Sequence, residues 1–156
     1  FIDPYHWTQD ESVGGGRIIG EACHFIDTIQ YLDGSKLENL NILYAQNEAY
    51  PSKDNAIITL RFSSGAIGNV IYTSMGSKKY SKEQLRVFSN GEICELDNYV
   101  KLIQYGSSKD SKVKLKQDKG IKSEYEHIAL VINGKADNEA IEDIFISHRL
   151  IIKGIR

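Results

Sequence analysis

Residues 14–27, GGGRIIGEACHFID, place an imidazole and a carboxylate at helical spacing behind a run of glycines. At about 100° per residue, His24 lies near the centre of the polar arc of a helix, and Gly20 and Asp27 lie on the same side. Glycine disfavours a helix by about 1 kcal/mol relative to alanine, and its missing side chain leaves room for a ligand. The glycines can also bring backbone amides close to an anionic or carbonyl oxygen. The pattern favours a site for a small polar ligand; the alternative is a pair of solvated neighbours.

Three other classes of site fit this segment poorly. GGGRIIG departs from the dinucleotide-binding pattern G-x-G-x-x-G because Ile19 occupies the place of the third glycine, and the preceding DESV is not a strand. Cys23 and His24 diverge by about 100° on a helix and no second ligand pair has zinc spacing, so no metal site is predicted. A serine hydrolase lacks support, because no G-x-S-x-G motif accompanies the histidine.

The polar arc belongs to a helix that is predicted to begin at Arg17 and to stop at Gly34, where glycine can take the left-handed conformation. Its apolar arc consists of Ile18, Ile19, Ala22, Cys23, Phe25, Ile26, Ile29 and Leu32. Its polar arc consists of Arg17, Gly20, Glu21, His24, Asp27, Thr28 and Tyr31, and Gln30 is the exception to this separation. Such an amphipathic helix buries one side and offers the other to solvent or a ligand.

Residues 37–117 have the composition of strands, rich in Ile, Val, Tyr and Thr. Tight turns are predicted at Ser63-Ser64-Gly65 and at Asn90-Gly91, and strands joined in this way run antiparallel. Within these strands Ile58, Leu60 and Phe62 alternate with Ile57, Thr59 and Arg61, which predicts one apolar sheet face.

Two further helices are predicted near the C-terminus to help cover that face. One has a capping box from Ser123 to Glu126 and a terminal Gly134, and the other can start at Asn138 and end at Gly154. The predicted fold class is α+β, a mainly antiparallel open sheet of about five to seven strands with about three helices packed on one face.

The length of 156 residues, with 41% hydrophobic and 26% charged positions, is typical of one globular domain. A net charge of -2 is too small and of the wrong sign to attract nucleic acid or an anionic membrane. Lys112, Lys114 and Lys116 alternate like a solvated edge strand, without the aromatic residues that stack on bases. The two cysteines, Cys23 and Cys94, are expected to be reduced in a cytoplasmic protein. No apolar run approaches the ~20 residues that span a bilayer.

The glycine triplet that opens a helix, followed by His24 and Asp27, resembles the motif of the Gfo/Idh/MocA oxidoreductases, the family of glucose-fructose oxidoreductase and inositol dehydrogenase. RVFSNGEICELDNYVKLIQYG is similar to the family's strand, turn, strand and strand. KGIKSEYEHIALVING and NEAIEDIFISHRLI are similar to its two closing helices, so the resemblance covers nearly the whole chain. The chain is most similar to the branch fused behind alcohol-dehydrogenase-like domains in bacterial polysaccharide gene clusters, which carries GGGRIIGE-x-CHFID.

This resemblance implies that residues 1–156 are the C-terminal substrate-binding and dimerisation domain of a dehydrogenase. The N-terminal Rossmann domain, which binds NAD or NADP and contributes a catalytic lysine, is expected to lie outside this chain. The start at Phe1 rather than Met also indicates that an upstream part was removed. The open sheet face is implied to make a homo-oligomer, commonly a dimer.

By the same resemblance His24 is the acid/base residue. Oxidation of a sugar hydroxyl sends a hydride to the nicotinamide and a proton to a protein group, and histidine, with an unperturbed pKa of about 6.5, can accept that proton near neutrality. Asp27 is expected to orient the imidazole and favour its charged form. Substrate-binding roles are assigned to Tyr5, Trp7, Gly16, Arg17 and Gly20.

Two short segments allow both a binding and a structural interpretation. Residues 5–7, YHW, either stack on a sugar or nicotinamide ring or anchor the N-terminal loop. Residues 78–80, KKY, either meet substrate phosphates or stay solvated, and the solvated interpretation is favoured.

One departure from the family pattern concerns Gly20, since many members have an aspartate four residues before the histidine. Glu21 is adjacent but points about 100° away. Either the proton is transferred by a route that does not need this aspartate, or the requirement for catalysis is relaxed in this copy of the domain. The first hypothesis is therefore the substrate-binding half of a dehydrogenase for a sugar or nucleotide sugar. The alternatives are a noncatalytic dimerisation or ligand-binding module on the same scaffold and an unrelated α+β interaction protein.

Overall fold

The computed structural model describes residues 3, 5–10, 12–13, 15–45, 53–106, 111–114, 116–137 and 141–155. The chain divides into two compact units, one formed by Phe1–Gly76 with Asn138–Arg156 and the other by Ser77–Asp137. The described residues contain seven strands, all paired antiparallel, and three α-helices. The predicted α+β class, the antiparallel strands and the number of helices are confirmed.

The first unit is built on a three-stranded sheet with β1 (Leu37–Tyr44) and β3 (Ile67–Tyr72) on either side of β2 (Ala56–Phe62). The predicted turn at Ser63-Ser64-Gly65 joins β2 to β3, and Gly65 has a φ of +90° that favours glycine. Along β2 burial alternates strictly. The buried members are Ile58, Leu60 and Phe62, and the exposed ones are Ile57, Thr59 and Arg61, as predicted.

Two helices cover the apolar face of this sheet, α1 (Cys23–Asp33) and the C-terminal helix α3 (Ile141–Ile155). Ile26 of α1 and Ile151 of α3 are completely buried and join the core of the sheet. The burial of a continuous apolar stripe on each helix is what fixes the helices to the strands.

The predicted apolar arc of the first helix is right at its centre and wrong at its edge. Relative to Ile26, Gln30 lies about 40° around the helix and Leu32 about 120°. Gln30 is accordingly buried, whereas Leu32 is 52% exposed despite its apolar side chain. Angular position on the helix, rather than residue type, decides which of the two contacts the sheet.

The second unit carries a four-stranded antiparallel sheet in the order β4 (Gln84–Ser89), β5 (Glu92–Asp97), β6 (Lys101–Tyr105) and β7 (Ser111–Lys114). Asn90 and Gly91 join β4 to β5 with φ values of +49° and +81°, which confirms the predicted hairpin. Lys112 and Lys114 are exposed on the edge strand β7, as predicted. The strands thus form two hydrogen-bonded sheets, because residues 73–83 between β3 and β4 take bends and turns instead of pairing.

The predicted ends of the two later helices need correction. The capping box at Ser123 is wrong, because α2 (Ile121–Ile132) already begins after Gly120, whose φ is +70°. The stop at Gly134, with φ of +66°, is confirmed. Asn138 lies outside the described residues. Gly154 does not end α3; a Cβ there would come within 3.0 Å of Leu40 Cδ2, so glycine permits close packing on β1.

None of the helices among the described residues has both the length and the apolar character needed to cross a lipid bilayer.

Candidate active site

The helix that carries His24 opens with a π-helical segment, Ile18–Ala22, and continues directly as α1. It ends at Gly34, which has a φ of +71° and donates its N–H to Gln30 O at 2.9 Å. The start near Arg17 and the stop at Gly34 are therefore confirmed. The wider π turn was not predicted, since no local residue preference distinguishes it; single π turns are frequent at functional sites.

His24 and Asp27 both lie exposed on the outer side of this helix, one turn apart. Behind them Ala22, Cys23 and Ile26 are buried against the sheet. The backbone carbonyl of His24 accepts a hydrogen bond from Thr28 Oγ1 at 2.8 Å. No hydrogen bond joins the imidazole of His24 to the carboxylate of Asp27 in this part of the structure, so both ring nitrogens are open to a ligand.

The glycines before His24 leave the backbone accessible. Gly15 and Gly16 have φ values of +69° and +83°, a conformation that glycine adopts without strain. A Cβ at Gly16 or Gly20 would meet no atom within 4 Å, and Gly20 is exposed. The structure thus leaves open space one turn before His24, where Gly20 stands. Gly14 lies outside the described residues.

Arg17 is held against the sheet by Tyr72, a residue that the sequence did not single out. Its Nε–H donates to Tyr72 Oη at 2.9 Å, and the guanidinium carbon lies 5.7 Å from the centre of the phenol ring. Phe25 of α1 contacts the same ring, with centroids 6.4 Å apart. Burial raises the pKa of Tyr72, an effect that Arg17 partly offsets. Because 55 residues separate the two partners, the contact depends on the packing of the helix on the sheet.

A buried polar network fixes the end of β3 that carries Tyr72. Asn55 Nδ2 donates to Asp54 Oδ1 at 2.8 Å, and Asn55 Oδ1 accepts from Thr73 Oγ1 at 2.7 Å and from the Ser74 N–H at 3.0 Å. Asp54 is 1% exposed and Asn55 is 3% exposed. Hydrogen bonds of this kind are costly to break because the partners left behind stay buried and unsatisfied.

The aromatic residues before the glycines form a short exposed structure, a 3-10 helix at Trp7–Gln9. The side chains of Tyr5 and Trp7 are 92% and 63% exposed. His6 Nδ1 lies 2.8 Å from Thr8 Oγ1, and the His6 and Trp7 rings are 5.8 Å apart. The side chains of Tyr5 and Trp7 are therefore largely accessible to solvent.

Lys78, Lys79 and Tyr80 belong to the second unit and are exposed, in agreement with the solvated interpretation. Cys23 and Cys94 are free thiols, and burial raises the pKa of the Cys23 thiol. Across the described ranges, no three His, Cys, Asp or Glu side chains are grouped as a metal ion would require.

Comparison with known protein families finds one that matches most of the chain. The profile of a family described as "Oxidoreductase family, C-terminal alpha/beta domain", that of Gfo/Idh/MocA, matches residues 2–143. A comparison with curated protein sequences finds no match.

Solved structures share the fold over nearly all of the chain. An aldose-aldose oxidoreductase from Caulobacter crescentus is 17% identical, with a TM-score of 0.78 over 99% of this chain and 50% of that one. An oxidoreductase from Desulfitobacterium hafniense, described as NADPH-dependent, is 14% identical, with a TM-score of 0.79 over 99% of this chain and 49% of that one. A UDP-N-acetylglucosamine 3-dehydrogenase from Acidithiobacillus ferrooxidans is 16% identical, with a TM-score of 0.66 over 85% and 43%. The chain spans about half the length of these proteins.

Proposed function

We propose that this chain, which belongs to the Gfo/Idh/MocA oxidoreductase family, is the substrate-binding half of a nicotinamide-dependent dehydrogenase for a sugar or nucleotide sugar. The observation that carries the proposal is the exposed imidazole of His24, set on a helix whose other side is buried, with open space at Gly20. The aldose and UDP-sugar enzymes among the solved relatives support a sugar substrate.

The cofactor is held mainly by a domain outside this chain. All described strand pairs are antiparallel, so this part of the chain contains no parallel β-α-β unit of the kind that binds dinucleotides. Gly16 and Gly20, whose positions are unobstructed, are assigned to the substrate. When bound, NAD or NADP supplies the acceptor for the hydride that leaves the substrate carbon.

His24 then moves the proton of the reaction. As the substrate C–H bond breaks and the carbonyl forms, the hydroxyl proton passes to a ring nitrogen of His24; in the reverse direction His24 returns it. Asp27 stands one turn away on the same exposed side of the helix, and we assign it the role of orienting the imidazole when the substrate is bound. Gly20 supplies space for the substrate instead of the family's usual carboxylate, and the proton leaves His24 by another route.

Tyr5 and Trp7 provide apolar ring faces that suit the C–H face of a sugar. Both residues are exposed at the 3-10 turn, so their rings are accessible for stacking on a bound sugar. Replacement of Trp7 by alanine is expected to raise KM for the sugar with little change in kcat.

The open face of the β1–β3 sheet is the surface that we propose for a homo-oligomer. Apolar side chains on it are exposed, namely Leu43, Ile57, Ile67 and Ile71. An exposed apolar patch of this kind is more often an interaction surface than a surface that contacts only solvent.

We also propose that the protein is cytoplasmic, because its two cysteines are free thiols. A role in polysaccharide biosynthesis is part of the same proposal.

A noncatalytic ligand-binding or dimerisation module is the second candidate. Gly20 in place of an acid favours it, because the chain then lacks one group that many family members have near the histidine. The two candidates share the fold and differ only in turnover.

The deciding experiment uses the full-length protein that contains this chain, assayed by NAD(P)H absorbance against a panel of sugars and nucleotide sugars. We expect oxidation of a member of the panel, and His24→Ala should lower turnover by about 10²- to 10⁴-fold. His127→Ala, in an exposed position of α2, is the matched control and should keep full activity. Full turnover by His24→Ala would remove the histidine from the mechanism, and no turnover with any member would favour the second candidate.

The isolated chain provides a separate check, since the cofactor site is assigned to another domain. Calorimetry with NAD and NADP should show no specific binding to residues 1–156. Tight binding of either dinucleotide would contradict the proposal that the cofactor is bound by the other domain.

A further inference from the structure

Arg17 stands out among the charged side chains of the first unit because it is half-buried and makes no ion pair with any described carboxylate. Glu21, four residues later on the same helix, is placed for an i,i+4 contact and does not pair with it. A partly buried guanidinium usually has a carboxylate or phosphate partner, since desolvation of an unpaired charge is costly. Among the described residues Arg17 thus has a phenol partner and no ion-pair partner, which leaves its charge available to an anionic ligand.

The guanidinium is held ready for such a partner. Tyr72 Oη takes up the Nε–H at 2.9 Å, and the phenol ring lies under the guanidinium carbon at 5.7 Å. Of the five N–H donors of arginine, the four on the two terminal nitrogens remain for a ligand. Two parallel N–H donors match the oxygens of a carboxylate or a phosphate.

We propose that Arg17 is the specificity-determining residue of this domain and that the substrate is a sugar with a negatively charged group, a phosphate or a carboxylate. The proposal rests on the function proposed above and narrows its substrate class. Arg17 and His24 belong to the same helical segment, and Gly20, whose position is unobstructed, stands between them along the chain. A sugar lying over Gly20 can offer a hydroxyl to His24 and a charged substituent to Arg17.

Tyr72 is the positioning residue in this arrangement, because it acts on the substrate only through Arg17. The ring of Phe25 and the hydrogen bonds of Asn55 to Thr73 and Ser74 fix the end of β3 where Tyr72 lies. Loss of the phenol hydroxyl frees the guanidinium to rotate while the ring still supports it, so the effect of Tyr72→Phe should be smaller than that of Arg17→Gln.

The test compares four substrates with the full-length protein: glucose, glucose 6-phosphate, UDP-glucose and glucuronate. We expect wild-type kcat/KM to be higher for at least one charged member than for glucose, and the phosphate and carboxylate members show which anion is preferred. Arg17→Gln should lower kcat/KM for that member by about 10- to 100-fold, mainly through KM, and for glucose by less than about 3-fold. Tyr72→Phe should raise KM for the charged member by about 3- to 10-fold and leave kcat unchanged.

The controls separate this inference from the function on which it rests. Arg149→Gln, exposed on α3, should change none of the four values. If Arg17→Gln unfolds the protein, Arg17→Lys, which keeps the charge without the paired donors, and Tyr72→Phe give the same discrimination. Equal losses for glucose and the charged members, or no preference for a charge in the wild type, would overturn the inference. Continued dependence of turnover on His24 would then leave the proposed function standing.

Discussion

Truncation of Ile26 to alanine should destabilise the helix that presents His24 much more than truncation of Leu32, six residues later on the same predicted apolar arc. Ile26 is completely buried in the core with Phe62 and Ile151, whereas Leu32 is 52% exposed. Removal of three buried carbon atoms costs about 2.4 kcal/mol of transfer free energy, and the cavity left behind raises the loss to about 3–4 kcal/mol. At Leu32 the removed atoms already contact water, so we expect about 1 kcal/mol or less.

Urea unfolding followed by far-UV circular dichroism measures both losses as differences in the free energy of unfolding. The activity per folded molecule of Ile26→Ala should change little, because Ile26 faces the sheet while His24 faces outward. Equal destabilisation by the two truncations would show that the helix is not seated on the sheet as described, and the exposed placement of His24 would lose its basis.

Three further predictions concern other parts of the fold. Hydrogen bonds from Ser35 and Ser64 hold the pKa of the half-buried Asp33 below its ordinary value, so their stabilisation is present above the unfolded-state pKa of about 3.9 and is lost as pH falls. Ser64→Ala should therefore cost about 0.5–1 kcal/mol at neutral pH, and a deficit in urea unfolding that persists unchanged at about pH 3 would contradict this assignment. Gly106→Ala should lower the thermal midpoint of the second unit by more than Gly91→Ala. Both glycines have positive φ, but only at Gly106 would an added Cβ clash with a backbone oxygen, that of Gly91. Equal decreases in the two midpoints would refute this clash. Gly20→Asp should fold with an unchanged or slightly higher thermal midpoint, because nothing lies within 4 Å of the added Cβ, and a large decrease would mean that the position is occupied.

The helix that begins at Arg17 has a structural side and a functional side. Its inner side is fixed by apolar burial, and its outer side keeps His24 and Asp27 in solvent. Arg17 itself is half-buried against Tyr72. Such a division lets the core hold the helix rigidly while the polar side chains remain available for binding and proton transfer.

Local sequence determined the features that depend on neighbours a few residues apart. The period of Ile18, Ala22 and Ile26 marks the buried side of the helix, Asn90-Gly91 turns a hairpin, and the alternation along β2 separates a buried face from an exposed one. These are properties of backbone geometry and side-chain period, which any chain with the same short segment would share. The motif around His24 also carried the family resemblance, which the match over residues 2–143 confirmed.

Tertiary structure decided the features that join distant residues. The contact between Arg17 and Tyr72 spans 55 residues, and the hydrogen bonds of Asn55 to Thr73 and Ser74 span 18 and 19. No local period encodes which strand end will lie beside a helix start, because that depends on how the sheet pairs and how the helix packs on it. For the same reason Gly154, predicted to stop a helix, is the next-to-last residue of α3, where an added Cβ would press on the side chain of Leu40.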